Sequence, residues 1–587
     1  SIPPTVTLVA VFLPIVFMEG TSGRLFREFS FVVAGSVIIS SFVALTFTPM
    51  LSTKLLLKRE KQSWFYQKTE PFFEGMNRIY SRALESFLKR RVIAIPFTLL
   101  TLVLIGYLWN EIPAEMAPLE DRSQININTK GAEGVSYEYL RDYTEDINLL
   151  VDSIVPDAQS VTARVSLASR TTGVSSGSGN IRITLKDIKD RDYTQMEVAE
   201  KISKAIKTKT KARSFVQQQS SFGGRRSSMP IQYVLQAVSI EKLEEVLPKF
   251  LNAVYDNPTF QMADVDLKFS SPEMRVNINR DKAGTMGVTV KDIASVLQYG
   301  LSGQRMGYFY MNGKQYEILG QFNRQQRNQP SNIKSIYIRS DNGEMIQLDN
   351  LVDFVESITP PKLYHYNRFI SATISAGLAE GKTIGEGLEE MDKIAAQTLD
   401  DTFRTALSGD SKDYRESSSS LMFAFILALV LIYLILSAQF ESFKDPLIIM
   451  LTVPLAIAGA LVFMYFGGIT MNIFSQIGII MLIGLVAKNG ILIVEFANQK
   501  QEAGEDKMQA IKDASLQRLR PILMTSASTI LGLLPLMFAS GEGANQRIAM
   551  GNAVVGGMLV STFLTMFIVP AIYSYISTNR LKKEKEA

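Results

Sequence analysis

The sequence predicts a multi-pass α-helical membrane protein that carries a large α+β domain outside the membrane. Three observations lead there. Of the 587 residues, 47% are hydrophobic and 20% charged, yet the apolar residues collect in long runs at the two ends of the chain. Runs of about 20 residues cross a hydrocarbon core at about 1.5 Å per helical residue. Between them, residues 110–416 are polar and switch between a hydrophobic period of two and one of 3.6, as mixed strands and helices do. Finally, the first fifty residues recur near the C-terminus, so the chain contains a duplication.

In order, residues 1–52 form two membrane helices. Ser1–Met18 reads as the tail of a span cut at its start, the loop EGTSGRLFRE follows, and Phe29–Ser52 is the second span. Residues 53–91 hold ten Lys or Arg against four Glu, which places them in the cytoplasm as an amphipathic segment facing lipid. Val92–Trp109, within 92–110, is the third span. Residues 111–225 read strand (QININTK), helix (Tyr137–Ile154), strand (SVTARVSL), strand (NIRITLKD) and helix (TQMEVAEKISKAIK). That order is the ferredoxin-like βαββαβ pattern. A second such unit spans 226–270 and 367–416, with IQYVLQA, the helix SIEKLEEVLPKFLNAVYD, DVDLKF, ISATISA and a helix over Thr383–Thr398. The stretch 271–366, rich in strands and turns, is inserted into it. Five spans fill 417–577: Leu421–Ala438, Leu447–Phe466, Ile473–Ala497, Pro521–Ala539 and Met550–Ile576. The basic loop 498–520 and the tail 578–587 are cytoplasmic, and the parity of the spans agrees.

The repeat is gapless at a shift of 521 residues. Pro14 falls on Pro535, Gly20 on Gly541, Gly35 on Gly556 and Pro49 on Pro570. Prolines and glycines in register fix kinks and close contacts, and two related halves with ionisable groups between spans is a transporter design. The counterparts of the remaining spans are expected upstream of Ser1. One such ionisable group is Lys488, followed by Asn489, in the middle of the span Ile473–Ala497. A lysine there costs roughly 2.5–3.5 kcal/mol on insertion scales, so it reads either as a structural ion pair or as a titrating group in a proton path. Glu495, two turns along at about 10 Å, is an end-of-helix or gating group rather than the direct partner.

Other chemistries find little support. There is no Cys for disulfides, thiolate metal sites or nucleophiles, and a single His, His365. AGLAEGKT (376–383) nearly spells a phosphate loop, but Gly377 and Gly381 enclose three residues where four are needed. Methionines are scattered through apolar spans, so packing is their default role. The basic segment beside membrane spans reads as lipid-facing rather than nucleic-acid-binding. No enzyme, metal centre or cofactor is expected.

The chain resembles the C-terminal part of resistance–nodulation–division efflux pumps of the hydrophobe/amphiphile type. The stretches that carry the resemblance are FLPIVFMEGTSGRLFREFS, LSAQFESFKDPLIIMLTVPLAIAGAL, GLVAKNGILIVEFAN and RLRPILMTSASTILGLLPL. It implies a proton-driven homotrimer in the inner membrane, with a periplasmic adaptor and an outer-membrane channel, exporting amphiphilic small molecules. The two α+β units would be porter subdomains and 271–366 part of a docking subdomain. The proton relay carried over onto matching motifs is Lys488, Arg518 and Thr525, with paired Asp residues upstream of Ser1. Leu167–Gly179, with Gly173, Gly177 and Gly179, falls where the family has a flexible loop in the substrate path. Phe215 matches a pocket aromatic, whereas Arg182 and Gln217 stand where aromatics are expected, which points to more polar or anionic compounds. The alternatives within reach are a heavy-metal or other substrate-specific exporter and a secretion-accessory membrane protein.

Overall fold

The computed structural model describes residues 2–578 apart from 19, 56–63, 133–134, 167–176, 210, 219–228, 270, 328, 360–361 and 380. It opens with two apolar helices, α1 (Ile2–Val16) and α2 (Gly20–Leu55), then an amphipathic helix, α3 (Trp64–Lys89), and a span, α4 (Ala94–Glu111). Helix α3 is tied to the membrane part by polar contacts: Tyr80 donates to the carbonyl of Met566 at 2.7 Å, and Arg520 reaches Glu70 at 3.3 Å. Lys512 and Glu85 form a further ion pair with this helix.

After α4, two α+β units follow. The first runs β1 (Gln124–Lys130), α5 (Tyr137–Ile154), β2 (Ser160–Ser166), β3 (Ser178–Thr184), α6 (Gln195–Ile206) and β4 (Arg213–Gln218). Its sheet is antiparallel in the order β2-β3-β1-β4. Alternation puts Ile125, Ile127, Ile181 and Ile183 on one face, where α5 and α6 bury them. Both helices are capped as their sequences allow: Ser136 accepts from the amide of Tyr139, and Thr194 forms a capping box with Glu197. The second unit begins with β5 (Ile231–Ala237), α7 (Ile240–Asp256) and β6 (Phe260–Val265).

A separate small core then intervenes. It holds β7 (Ser271–Ile278), α8 (Arg280–Thr285), α9 (Val290–Leu297), the hairpin β8 (Gln304–Met311) and β9 (Lys314–Gly320), α10 (Arg324–Arg327), α11 (Pro330–Lys334), β10 (Tyr337–Arg339), β11 (Met345–Gln347) and β12 (Val352–Thr359). Strand β12 returns antiparallel beside β7, which closes the insertion at its base. The second unit resumes with β13 (Tyr364–Tyr366), β14 (Phe369–Leu378), α12 (Ile384–Thr398) and β15 (Arg404–Leu407). Strand β14 pairs with both β5 and β6, and β15 closes the other edge of β5, so this sheet repeats the order of the first. Strand β13 lies inside the stretch 271–366 expected to be inserted, yet it pairs with β14.

The chain re-enters the membrane through α13 (Gly409–Phe440), α14 (Asp445–Met450), α15 (Thr452–Phe466), α16 (Ile473–Glu502), α17 (Lys507–Met537) and α18 (Ala544–Ile576). Seven described helical segments are long and apolar enough to cross a membrane, α1 being shorter. Helix α1 ends at Val16 and α17 at Met537; α2 ends at Leu55 and α18 at Ile576. Both pairs of ends are offset by the 521 residues of the sequence repeat, so the duplication extends to element boundaries.

Two expectations need correction. The cytoplasmic loop expected over 498–520 is almost entirely helical, because α16 continues to Glu502 and α17 starts at Lys507. Asp506 caps α17 by accepting from the amide of Met508 at 3.1 Å, and the Ala-, Lys- and Gln-rich sequence that follows favours helix without being apolar. Likewise α13 begins at Gly409, well before the apolar run at Leu421. Ser411 on it accepts from the amide of Gln232 at 2.8 Å and donates to the carbonyl of Pro230, which joins the helix rigidly to the second sheet.

Candidate functional site

Helix α16 carries Lys488 and is the most enclosed span, with 78% of its apolar window buried. Small residues let its neighbours approach closely. A side chain at Gly484 would meet Leu8 and Val11 of α1, one at Gly478 would meet Ala553 and the carbonyl of Met550 on α18, and one at Gly490 would meet Ile449 and Thr452. Lys488 is half-buried in this setting and makes no hydrogen bond or ion pair among the described residues. Beside it, Asn489 is 1% exposed. Its amide nitrogen donates to Ser526 of α17 at 3.3 Å, Ser526 lies 3.2 Å from Thr562 of α18, and its amide oxygen finds no donor among the described residues.

The pairing of Asn489 with Ser526 sets Thr525 at the depth of Lys488. Thr525, however, is exposed and donates to the carbonyl of Ile522 in its own helix at 3.1 Å. Arg518 lies nearer the N-terminal end of α17. Its guanidinium sits 4.4 Å from the ring centre of Phe496, and its Nε is buried without a partner among the described residues. Phe496 is eight residues beyond Lys488, so Arg518 is about 12 Å along the axis from the lysine. Glu495 is half-buried at the level of Arg518, and no ion pair joins them. The structure therefore aligns Lys488, Asn489 and Thr525 in depth and sets Arg518 and Glu495 two turns below.

The substrate-side residues divide differently. Phe215 and Gln217 line a cleft of about 1190 Å³ between the two α+β units, whose opposite wall includes Phe260, Met262 and Leu378. Arg182 does not line it. In the first sheet it faces Asn126, which in turn faces Gln217, and its Nε donates to Asn126 at 3.3 Å. Gly179 belongs to β3 rather than to a loop, and a side chain there would collide with Thr144 Oγ1 at 2.5 Å, so close packing under α5 explains it. Gly177 accepts from the amide of Gly131 at 3.1 Å, and Gly173 lies outside the described residues.

On the far side of the cleft the two units are clasped. Lys130 of the first pairs with buried Asp264 of the second at 2.6 Å, with Lys268 at 3.2 Å from the same carboxylate. Burial disfavours the ionised form of Asp264, but the two lysines outweigh it and hold the carboxyl below its ordinary value. Such a carboxylate adds stability above an unfolded value of about 4 and loses it as pH falls through the folded value. Lys130→Met is expected to cost about 1 kcal/mol at pH 7, since the lysine is half-exposed and Lys268 remains. The deficit closes as pH drops below about 4, which thermal denaturation at pH 7 and pH 3 measures.

One feature had no motif to announce it. The segment 112–124, leaving α4, is bonded to α12, α16, α18 and the first α+β unit. The amide of Glu115 donates to the carbonyl of Met471 at 3.0 Å, Met471 donates back to Pro113 at 2.8 Å, and Ile473, the first residue of α16, donates to Met116. Gly385 of α12 donates to Ala114, Glu120 accepts from the amide of Gln546 on α18, and Asp121 pairs with the enclosed Arg191 beside α6. Burial pushes the carboxyl of Glu115 up from its ordinary value, against a hydrogen bond from Thr470. Glu115, Met116 and Arg122 of this strap line the cleft. The helix bearing Lys488 is thus joined to the cleft by backbone hydrogen bonds.

Comparison with known proteins agrees with this architecture. Residues 1–577 match the family model described as the AcrB/AcrD/AcrF family. The chain belongs to that family. The family is that of the resistance–nodulation–division transporters, and candidate membrane spans with this membership suit an inner-membrane protein. A relative in Haemophilus influenzae, an uncharacterized transporter, is 32% identical over 582 residues, covering 98% of this chain and 56% of the relative. The chain thus spans about half the length of the curated relative it matches. Members of the family generally form trimers and work with adaptor and outer-membrane channel partners.

Proposed function

We propose that the protein containing this chain exports amphiphilic small molecules, drugs among them, in exchange for protons moving inward. The observation that carries this is Lys488: a cation on the most enclosed span, with no anion beside it among the described residues, on a helix strapped to a cleft. Its ammonium answers to carboxylates supplied from outside this chain, and protonating them releases the attraction and lets α16 shift. Thr525, at the same depth, offers a hydroxyl to that relay, and Arg518 biases it without carrying the proton. The two α+β units act as ferredoxin-like porter subdomains and the insertion as part of a docking subdomain, in a trimer with a periplasmic adaptor and an outer-membrane channel.

The test is reconstitution of the intact transporter in liposomes with an imposed pH gradient. Extrusion of N-phenyl-1-naphthylamine should require the gradient and stop with a protonophore. Extrusion that continues without the gradient would overturn proton coupling.

A further inference from the structure

The cleft between the two α+β units has an uneven lining. Six cationic side chains, Arg122, Lys204, Lys207, Lys209, Arg213 and Lys382, border it against three acidic ones, Glu115, Glu200 and Asp410. Two of the cations are committed locally: Lys204 pairs with Glu200 across one turn of α6, and Lys382 pairs with Glu386 at 2.8 Å. Lys207 and Lys209, just past the end of α6, are exposed and make no ion pair among the described residues. Less exposed parts of the lining are apolar and adaptable: Met116, Met229 and Met262, with Phe215 and Phe260. Thioethers on unbranched chains repack around different shapes, and aromatic faces add broad contact area. The volume of about 1190 Å³ exceeds the usual range for a single drug-sized ligand.

We infer that this cleft selects amphiphilic anions: an apolar body seats on the methionine and phenylalanine floor while a sulfonate, sulfate or carboxylate meets the cationic rim at Lys207 and Lys209. This rests on the transport reading above and adds the charge of the cargo. A concave wall of one sign raises the local concentration of oppositely charged solutes, and the effect fades with ionic strength.

Two dyes with one skeleton separate the contributions: 8-anilinonaphthalene-1-sulfonate and N-phenyl-1-naphthylamine, which lacks the sulfonate. Fluorescence titration of the purified intact transporter reads binding without any gradient, and liposome extrusion reads transport. The charge-reversing pair Lys207→Glu and Lys209→Glu lies on the exposed surface and leaves the core alone. It should weaken sulfonate binding about tenfold and leave the neutral dye within about twofold. Lys207→Arg with Lys209→Arg should restore the preference, and raised salt should erase it in the unsubstituted protein. Equal loss for both dyes, or no loss for either, overturns the inference. Charge-dependent binding without gradient-driven extrusion would uphold the anion site and defeat the transport reading instead.

Discussion

Lys488→Met is expected to reduce proton-coupled extrusion by about two orders of magnitude, the lower range of what losing one proton-transfer group costs. The physical reason is that methionine fills the lysine's volume but presents no charge to the incoming carboxylates. The same change removes a desolvated ammonium that is worth roughly 2.5–3.5 kcal/mol against the membrane on insertion scales. The carboxylates left without their counter-charge can take up protons instead, so the variant should fold with stability close to the parent's, and it should bind the neutral dye with unchanged affinity, because the cleft is remote from position 488. Thermal stability, dye titration and liposome extrusion on one preparation decide the matter. Loss of extrusion together with loss of stability would make Lys488 a structural ion-pair member rather than the coupling group.

Gly557→Val is expected to destabilise the membrane part by about 3 kcal/mol or more. Helices α15, α16 and α18 meet where Gly459, Gly556 and Gly557 leave no room. A side chain at Gly557 would stand 2.1 Å from Leu482 Cδ2 and 2.8 Å from the backbone oxygen of Ala456. The leucine can rotate, but the carbonyl belongs to α15 and moves only if the helices part. The matched control is Gly532→Val on α17, where nothing lies within 4 Å. The control should retain the parent's denaturation midpoint in detergent, while Gly557→Val should aggregate or melt far lower. Equal behaviour of the two variants would show that helix propensity rather than close approach governs both positions.

The membrane helices were legible because hydrocarbon demands continuous apolar sequence, though three of the four ends expected for the repeated spans, Met18, Ser52 and Ala539, differ by two or three residues from the ends of α1, α2 and α17. What hydropathy cannot mark is a helix that continues into water, so the first turns of α13 and α17 were hidden. The succession of strands and helices in the first unit followed from alternation in QININTK and NIRITLKD and from the helical spacing between them. The place of β13 did not, because three residues of YHY carry no period. In the site, Lys488 announced itself by its cost in an apolar run, and Asn489 came with it. Ser526 and Thr562 did not stand out, since buried hydroxyls on spans usually bond their own backbone. Nor did the strap through Met471, whose bonds are main-chain and leave no trace in residue type. Gly179 misled because glycine serves both turns and tight contacts, and only the position of Thr144 tells them apart.

Helix α13 spans 32 residues without a break, about 48 Å from end to end. Its upper tip carries Asp410 into the cleft lining and is pinned by Ser411 to the strand that begins at Ile231, while its lower part rests against α1 and α2. A stiff rod of that reach is a lever arm. Tilting it by about 5° would displace the tip by about 4 Å, so a sub-ångström shift near its foot would reach the cleft enlarged several-fold.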